Sequence, residues 1–135
     1  MSLAAGKEGN GVVSVRSQHP FAETMQKLER TLASKGFKIF ATVDFGGEAA
    51  AAGFRMPPTK LVIFGNPKLG TPVMLGAPSA ALDLPLKILV GEDPGNQTWL
   101  SYTSPAYLAK RHSIPDDLLQ NISGIEAVVQ AVANS

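Results

Sequence analysis

The chain reads as an α+β domain in which helices cover a mainly antiparallel sheet. Three observations predict it. Two amphipathic helical stripes lie near the ends, at Phe21-Met25-Leu28-Leu32 and at Leu118-Ile122-Ile125-Val129-Val132. Two apolar runs of strand length, Leu61 to Phe64 and Leu86 to Val90, lie between them. The second run meets Asp93-Pro94-Gly95-Asn96 and then Gln97 to Thr103, the pattern of a strand, a tight turn and a returning strand. Strand, helix, several strands and then helices is the order of an α+β domain.

In chain order, residues 1–11 are small, polar and Gly-rich and read as a tail outside a single domain spanning 12–135. They carry no apolar core of a signal peptide. Met1-Ser2-Leu3 reads equally as a remnant of expression, which leaves a native leader open. Val12 to Arg16 is a β-branched first strand. Pro20 suits the first position of a helix, where its missing N–H costs nothing. The helix carries the first stripe for about four turns and ends at Gly36, which can take the left-handed cap.

Phe37 to Val43 is a second strand, ended by Asp44. Glu48 to Ala52 is a short alanine-rich helical connector between glycines. Met56-Pro57-Pro58 forces an extended approach to the strand Lys60 to Phe64. A helix is expected from Thr71 as N-cap and Pro72 as first residue. After Leu84-Pro85 come the hairpin strands, Leu86 to Gly91 and Gln97 to Thr103. Ser104 and Pro105 then cap and open a helix through His112. The last helix starts near Asp116 and Asp117, whose charges suit its positive end. Its stripe is too short for a coiled coil, so it is expected on the sheet.

Composition excludes whole classes of function. A net charge of +1 over 135 residues and a pI near 8.0 argue against nucleic acid and membrane-surface partners. The absence of cysteine removes disulfides and thiolate chemistry. No run of about 20 apolar residues is present to span a bilayer. A cytoplasmic location is expected, with no metal and no cofactor. Charged residues are 17% of the chain against about 25% in an average domain, and mean hydropathy is +0.08. That balance predicts that part of the surface is covered, most simply in a homodimer.

Gly65-Asn66-Pro67-Lys68-Leu69-Gly70-Thr71 superficially resembles a phosphate loop, but Thr71 stands where the loop needs lysine, and Pro67 and Pro72 lack amide donors. The run is therefore read as structural, with weak anion binding near Lys68 left open. Lys110, Arg111 and His112 are read as cations at a helix C-terminus. No Gly-x-Ser-x-Gly elbow supports a serine hydrolase. Asp44, Asp83 and Glu92 stand at strand ends, where two could converge as an acid/base pair; for Asp83, a bond to backbone N–H groups of its own turn is favoured. Trp99 and Tyr102 point to opposite faces of one strand.

Several motifs together resemble one family. They are Ile63-Phe64-Gly65-Asn66-Pro67-Lys68, Gly70-Thr71-Pro72, Ala81-Leu82-Asp83-Leu84-Pro85-Leu86-Lys87, Trp99-Leu100-Ser101-Tyr102 and Ala109-Lys110-Arg111-His112. This set, over roughly residues 12–132, is similar to the domain-of-unknown-function 302 family. The resemblance implies a two-layer strand–helix–multistrand–helix fold, often dimeric, and no agreed activity. Many relatives carry Asp-His at the end of the second strand where this chain has Asp44-Phe45.

The residues favour a non-catalytic binding or assembly domain that holds a small apolar or anionic ligand. Asp44, Asn66, Lys68, Asp83, Tyr102 and His112 are the candidates to contact it. The alternative is an enzyme or accessory of unknown reaction using Asp44, Asp83 and His112 as acid/base groups.

Overall fold

Side chains alternate across a strand and recur every turn along a helix, so each apolar pattern selects one face to bury. In a computed structural model that describes residues 9–135, the strands are β1 (Val12–Arg16), β2 (Lys38–Asp44), β3 (Thr59–Gly65), β4 (Leu86–Glu92) and β5 (Thr98–Thr103). The helices are α1 (Phe21–Ser34), α2 (Phe45–Ala51), α3 (Pro67–Gly76), α4 (Pro105–His112) and α5 (Gln120–Asn134), with 3-10 turns at Pro78–Leu82 and Asp116–Leu118. The expected tail over 1–11 lies outside the described residues up to residue 8.

The five strands form one sheet in the order β1-β5-β4-β3-β2, with every neighbouring pair antiparallel. The α+β expectation holds, and so does the hairpin, with Val90 opposite Leu100 and Glu92 opposite Thr98. Register puts Val62, Phe64, Leu86, Ile88, Val90, Leu100 and Tyr102 on one face, and all are buried. Met25, Leu28 and Leu32 of α1 and Ile122, Ile125, Val129 and Val132 of α5 join them in one core. Both stripes therefore serve the same face. On the other face Leu61, Ile63, Leu89 and Trp99 stay partly exposed, while Val62, Ile88 and Val90 between them are fully buried.

Four helix starts differ from expectation. Helix α3 begins at Pro67, not after Thr71. Asn66 is the stronger cap, its Oδ1 accepting from the Lys68 N–H at 3.0 Å, and Pro67 fits the first position. Pro72 consequently lies inside the helix. Helix α2 takes in Gly46 and Gly47 because Asp44 Oδ1 accepts from the Gly47 N–H at 2.9 Å. Pro20 is the residue before α1, not its first. Asp116 opens a 3-10 turn, and α5 follows only from Gln120.

Gly36 does take the left-handed conformation, φ +82°. Its N–H reaches Ala33 O and that of Phe37 reaches Leu32 O, the paired bonds of a Schellman end.

Candidate functional site

Where β2 and β3 meet, Lys38 lies opposite Gly65, and the chain turns through Asn66 into α3. Gly65 matters here: a Cβ would lie 3.2 Å from the Phe40 ring. Without it, Phe40 can close one side of a cavity of about 300 Å³. Phe37, Leu69, Met74, Leu84, Leu86 and Ile122 supply most of the remaining wall, with Asn66, Thr71 and Asn121 as its polar side chains. Asn121 Nδ2 donates to Leu69 O at 3.0 Å and ties α5 to α3 across the cavity. Phe37 meets Phe64 edge to face, centroids 5.3 Å apart, so the wall is anchored in the core.

A second constellation joins the 3-10 turn Pro78–Leu82 to α4. Ser104 caps α4, accepting from the Tyr107 N–H, with Pro105 as its first residue. The helix thereby delivers His112, in its last turn, against the 3-10 turn. His112 Nε2 lies 2.5 Å from Asp83 Oδ2, and Nδ1 lies 2.8 Å from Ser79 Oγ. Arg111 Nη1 lies 3.3 Å from the same Asp83 oxygen. The His112 side chain is only 4% exposed, while Asp83 is 28% and Arg111 52% exposed. Val73, Ala80, Leu108 and Ile114 pack behind the ring.

The candidate residues are thus dispersed, with one exception. Asp83 and His112 are brought together. The Asp83 carboxylate turns to α4 instead of to its own turn's N–H groups. Asn66 lines the cavity and caps α3, and Lys68 is exposed in the first turn of α3. Asp44 caps α2 at the opposite end of the sheet, beside Lys60, whereas Asp83 precedes Leu86 opposite Phe64.

Tyr102 is buried on the helix-covered face, and burial, with the Glu126 charge, pushes its phenol above 10.0. Ser79 and Asn121 were not legible as site residues. Neither belongs to a motif, and their partners lie 33 and 52 residues away in the chain.

Comparison with known proteins bears on fold and kinship. The model of the family described as Domain of unknown function DUF302 matches residues 13–132. The crystal structure of an uncharacterized conserved DUF302 protein from Bacillus stearothermophilus superposes with a TM-score of 0.77 at 20% identity, covering 92% of this chain and 96% of that one. At that identity the likeness concerns the fold.

The chain is also 43% identical over 105 residues to fluoride-specific ion channel FluC 1 of Brucella suis biovar 1 (strain 1330), covering 78% of this chain and 41% of that relative. The same identity and length relate it to fluoride-specific ion channel FluC 2 of Brucella melitensis biotype 1, covering 39% of that protein. The chain therefore spans about two fifths of these curated relatives. No helix among the described residues is long and apolar enough to cross a membrane.

Proposed function

The chain belongs to the DUF302 family, and on that premise we propose that it is a small-molecule binding and assembly domain. One observation carries the binding reading: the apolar cavity between the sheet end, α3 and α5. Its volume of about 300 Å³ stands at the lower end of ligand sites, roughly 300–1,000 Å³. Among the described residues no charged side chain lines it. An apolar wall without a countercharge disfavours ions and suits a neutral, mostly apolar molecule. Asn66 supplies orientation: its Oδ1 is used by the helix cap, and its Nδ2 faces no acceptor among the described residues. Of the two ligand classes the sequence allows, the apolar one therefore fits.

The acid/base trio of the alternative does not assemble, because the sheet separates Asp44 from Asp83 and His112.

Native mass spectrometry of untagged protein tests the cavity. The expected result is a retained small molecule that Met74→Trp, which fills the cavity, displaces. Wild-type protein carrying no added mass, together with an unshifted melt across neutral aromatic and aliphatic compounds, would sink the reading.

A second reading, self-association, is favoured by the sheet face that no described helix covers. A sheet open to water on one side normally alternates apolar and polar residues. Here Leu61-Val62-Ile63-Phe64 and Ile88-Leu89-Val90 are apolar on both faces.

A further inference from the structure

We propose that Ser79 is a nucleophile, activated by His112 and Asp83, that transfers small acyl groups from carboxylic esters to water. The observation is independent of the cavity. Leu84 and Ile122 line both the cavity and the space behind His112 and stand between the two sites.

Chemistry sets the direction of the hydrogen-bond chain. An ionised carboxylate only accepts, so His112 Nε2 carries the proton that bridges to Asp83. The neutral imidazole then has its lone pair on Nδ1, and the Ser79 hydroxyl donates to it at 2.8 Å. Which ring nitrogen acts as base depends on what the other one holds. A relay of this kind is recognised by geometry and not by sequence spacing, so the missing Gly-x-Ser-x-Gly motif is no obstacle.

Burial keeps the ring in one orientation, while Ser79 itself is exposed. Leu75 and Leu82, 79% and 76% exposed on either side of Ser79 in the chain, offer apolar surface to an acyl group. The half-exposed Arg111 pairs with the Asp83 carboxylate at 3.3 Å and helps hold it at the Nε2 end of the ring.

In the first step Ser79 Oγ bonds to the ester carbonyl carbon and its proton passes to His112 Nδ1. The carbonyl pair moves onto oxygen, returns and breaks the bond to the alcohol, which leaves with the proton from Nδ1. Water then attacks the acyl-serine and gives its proton to Nδ1. That proton passes to Ser79 Oγ as the carboxylic acid departs. Ester and water become acid and alcohol, with no other reactant.

The full chain, treated with a fluorophosphonate probe and with p-nitrophenyl butyrate, tests this. The expected result is an adduct mapped to Ser79, and ester turnover that disappears in Ser79→Ala while the melt is unchanged. Asp83→Asn, which removes the carboxylate that holds the imidazole in the required tautomer, should slow labelling by about 10²-fold or more. His112→Gln is a weaker test because the residue is buried; Asp83→Asn does not depend on it. Folded wild-type protein with no adduct at Ser79, or Asp83→Asn labelled at the wild-type rate, overturns the proposal.

Discussion

The indole Nε1 of Trp99 donates to Asp93 Oδ2 at 2.8 Å, which latches the hairpin's turn to its returning strand. The other oxygen, Oδ1, accepts the N–H groups of Gly95 and Gln97 at 2.9 Å. One carboxylate therefore satisfies the turn and holds a half-buried aromatic side chain on the open sheet face.

These bonds, the Trp99 contact first and the Gln97 and Gly95 amides after it, with Arg16 nearby, hold the Asp93 carboxyl below its ordinary 3.8. A carboxyl lowered in the fold stabilises it above the unfolded value and loses that contribution as pH falls through the folded one. Asp93→Asn should thus lower the urea midpoint near neutrality. The gap from wild type should close as pH drops below 3.8. A gap that persists unchanged in acid would show that the charge of the carboxylate is irrelevant to the latch.

Asn66 is expected to matter for stability even without a ligand. Asn66→Ala removes the cap of α3 and should cost about 0.5–2 kcal/mol, whereas Asn66→Asp, which retains an acceptor, should cost less. Chemical denaturation of both variants checks the order. Equal stability of wild type and Asn66→Ala would count against the cap.

Tyr102 predicts alkaline sensitivity. Burial first, and Glu126 second, raise its phenol above 10.0, so the fold holds the proton more tightly than the unfolded chain does. Its contribution is complete below 10.0 and is lost as pH rises through the folded value. Tyr102→Phe should flatten the decline of melting temperature above that pH. An identical decline in the variant would place the sensitivity elsewhere.

Self-association through the open sheet face should appear in light scattering as about twice 14.2 kDa. Leu89, on the central strand of that face, is the position to change. Leu89→Arg would bury a charge in such an interface and should return the mass to 14.2 kDa without a loss of folding. Wild-type protein at the single-chain mass at every concentration would remove this reading.

Elements whose causes lie within a few residues of one another were legible in the sequence. The α1 stripe, the Gly36 end, the Asp93-Pro94-Gly95-Asn96 turn and the Ser104-Pro105 opening of α4 each follow from local periodicity, capping or turn chemistry. The start of α3 was local too, but two Pro-containing openings competed there, and the choice lay in which side chain reached an N–H. Asn66 did so, and Thr71 was absorbed into the helix.

The tertiary structure alone decided which distant residues meet. Nothing in the spacing of Ser79, Asp83 and His112 announces a hydrogen-bonded chain. It exists because α4 packs against the 3-10 turn that leads into β4. The cavity likewise needs Phe40 from β2, Met74 from α3 and Ile122 from α5 at one sheet end. Local patterns determine each segment's shape and the face it must bury. Which segments share that burial depends on chain closure over many residues, and on a strand order, β1-β5-β4-β3-β2, that no local pattern records.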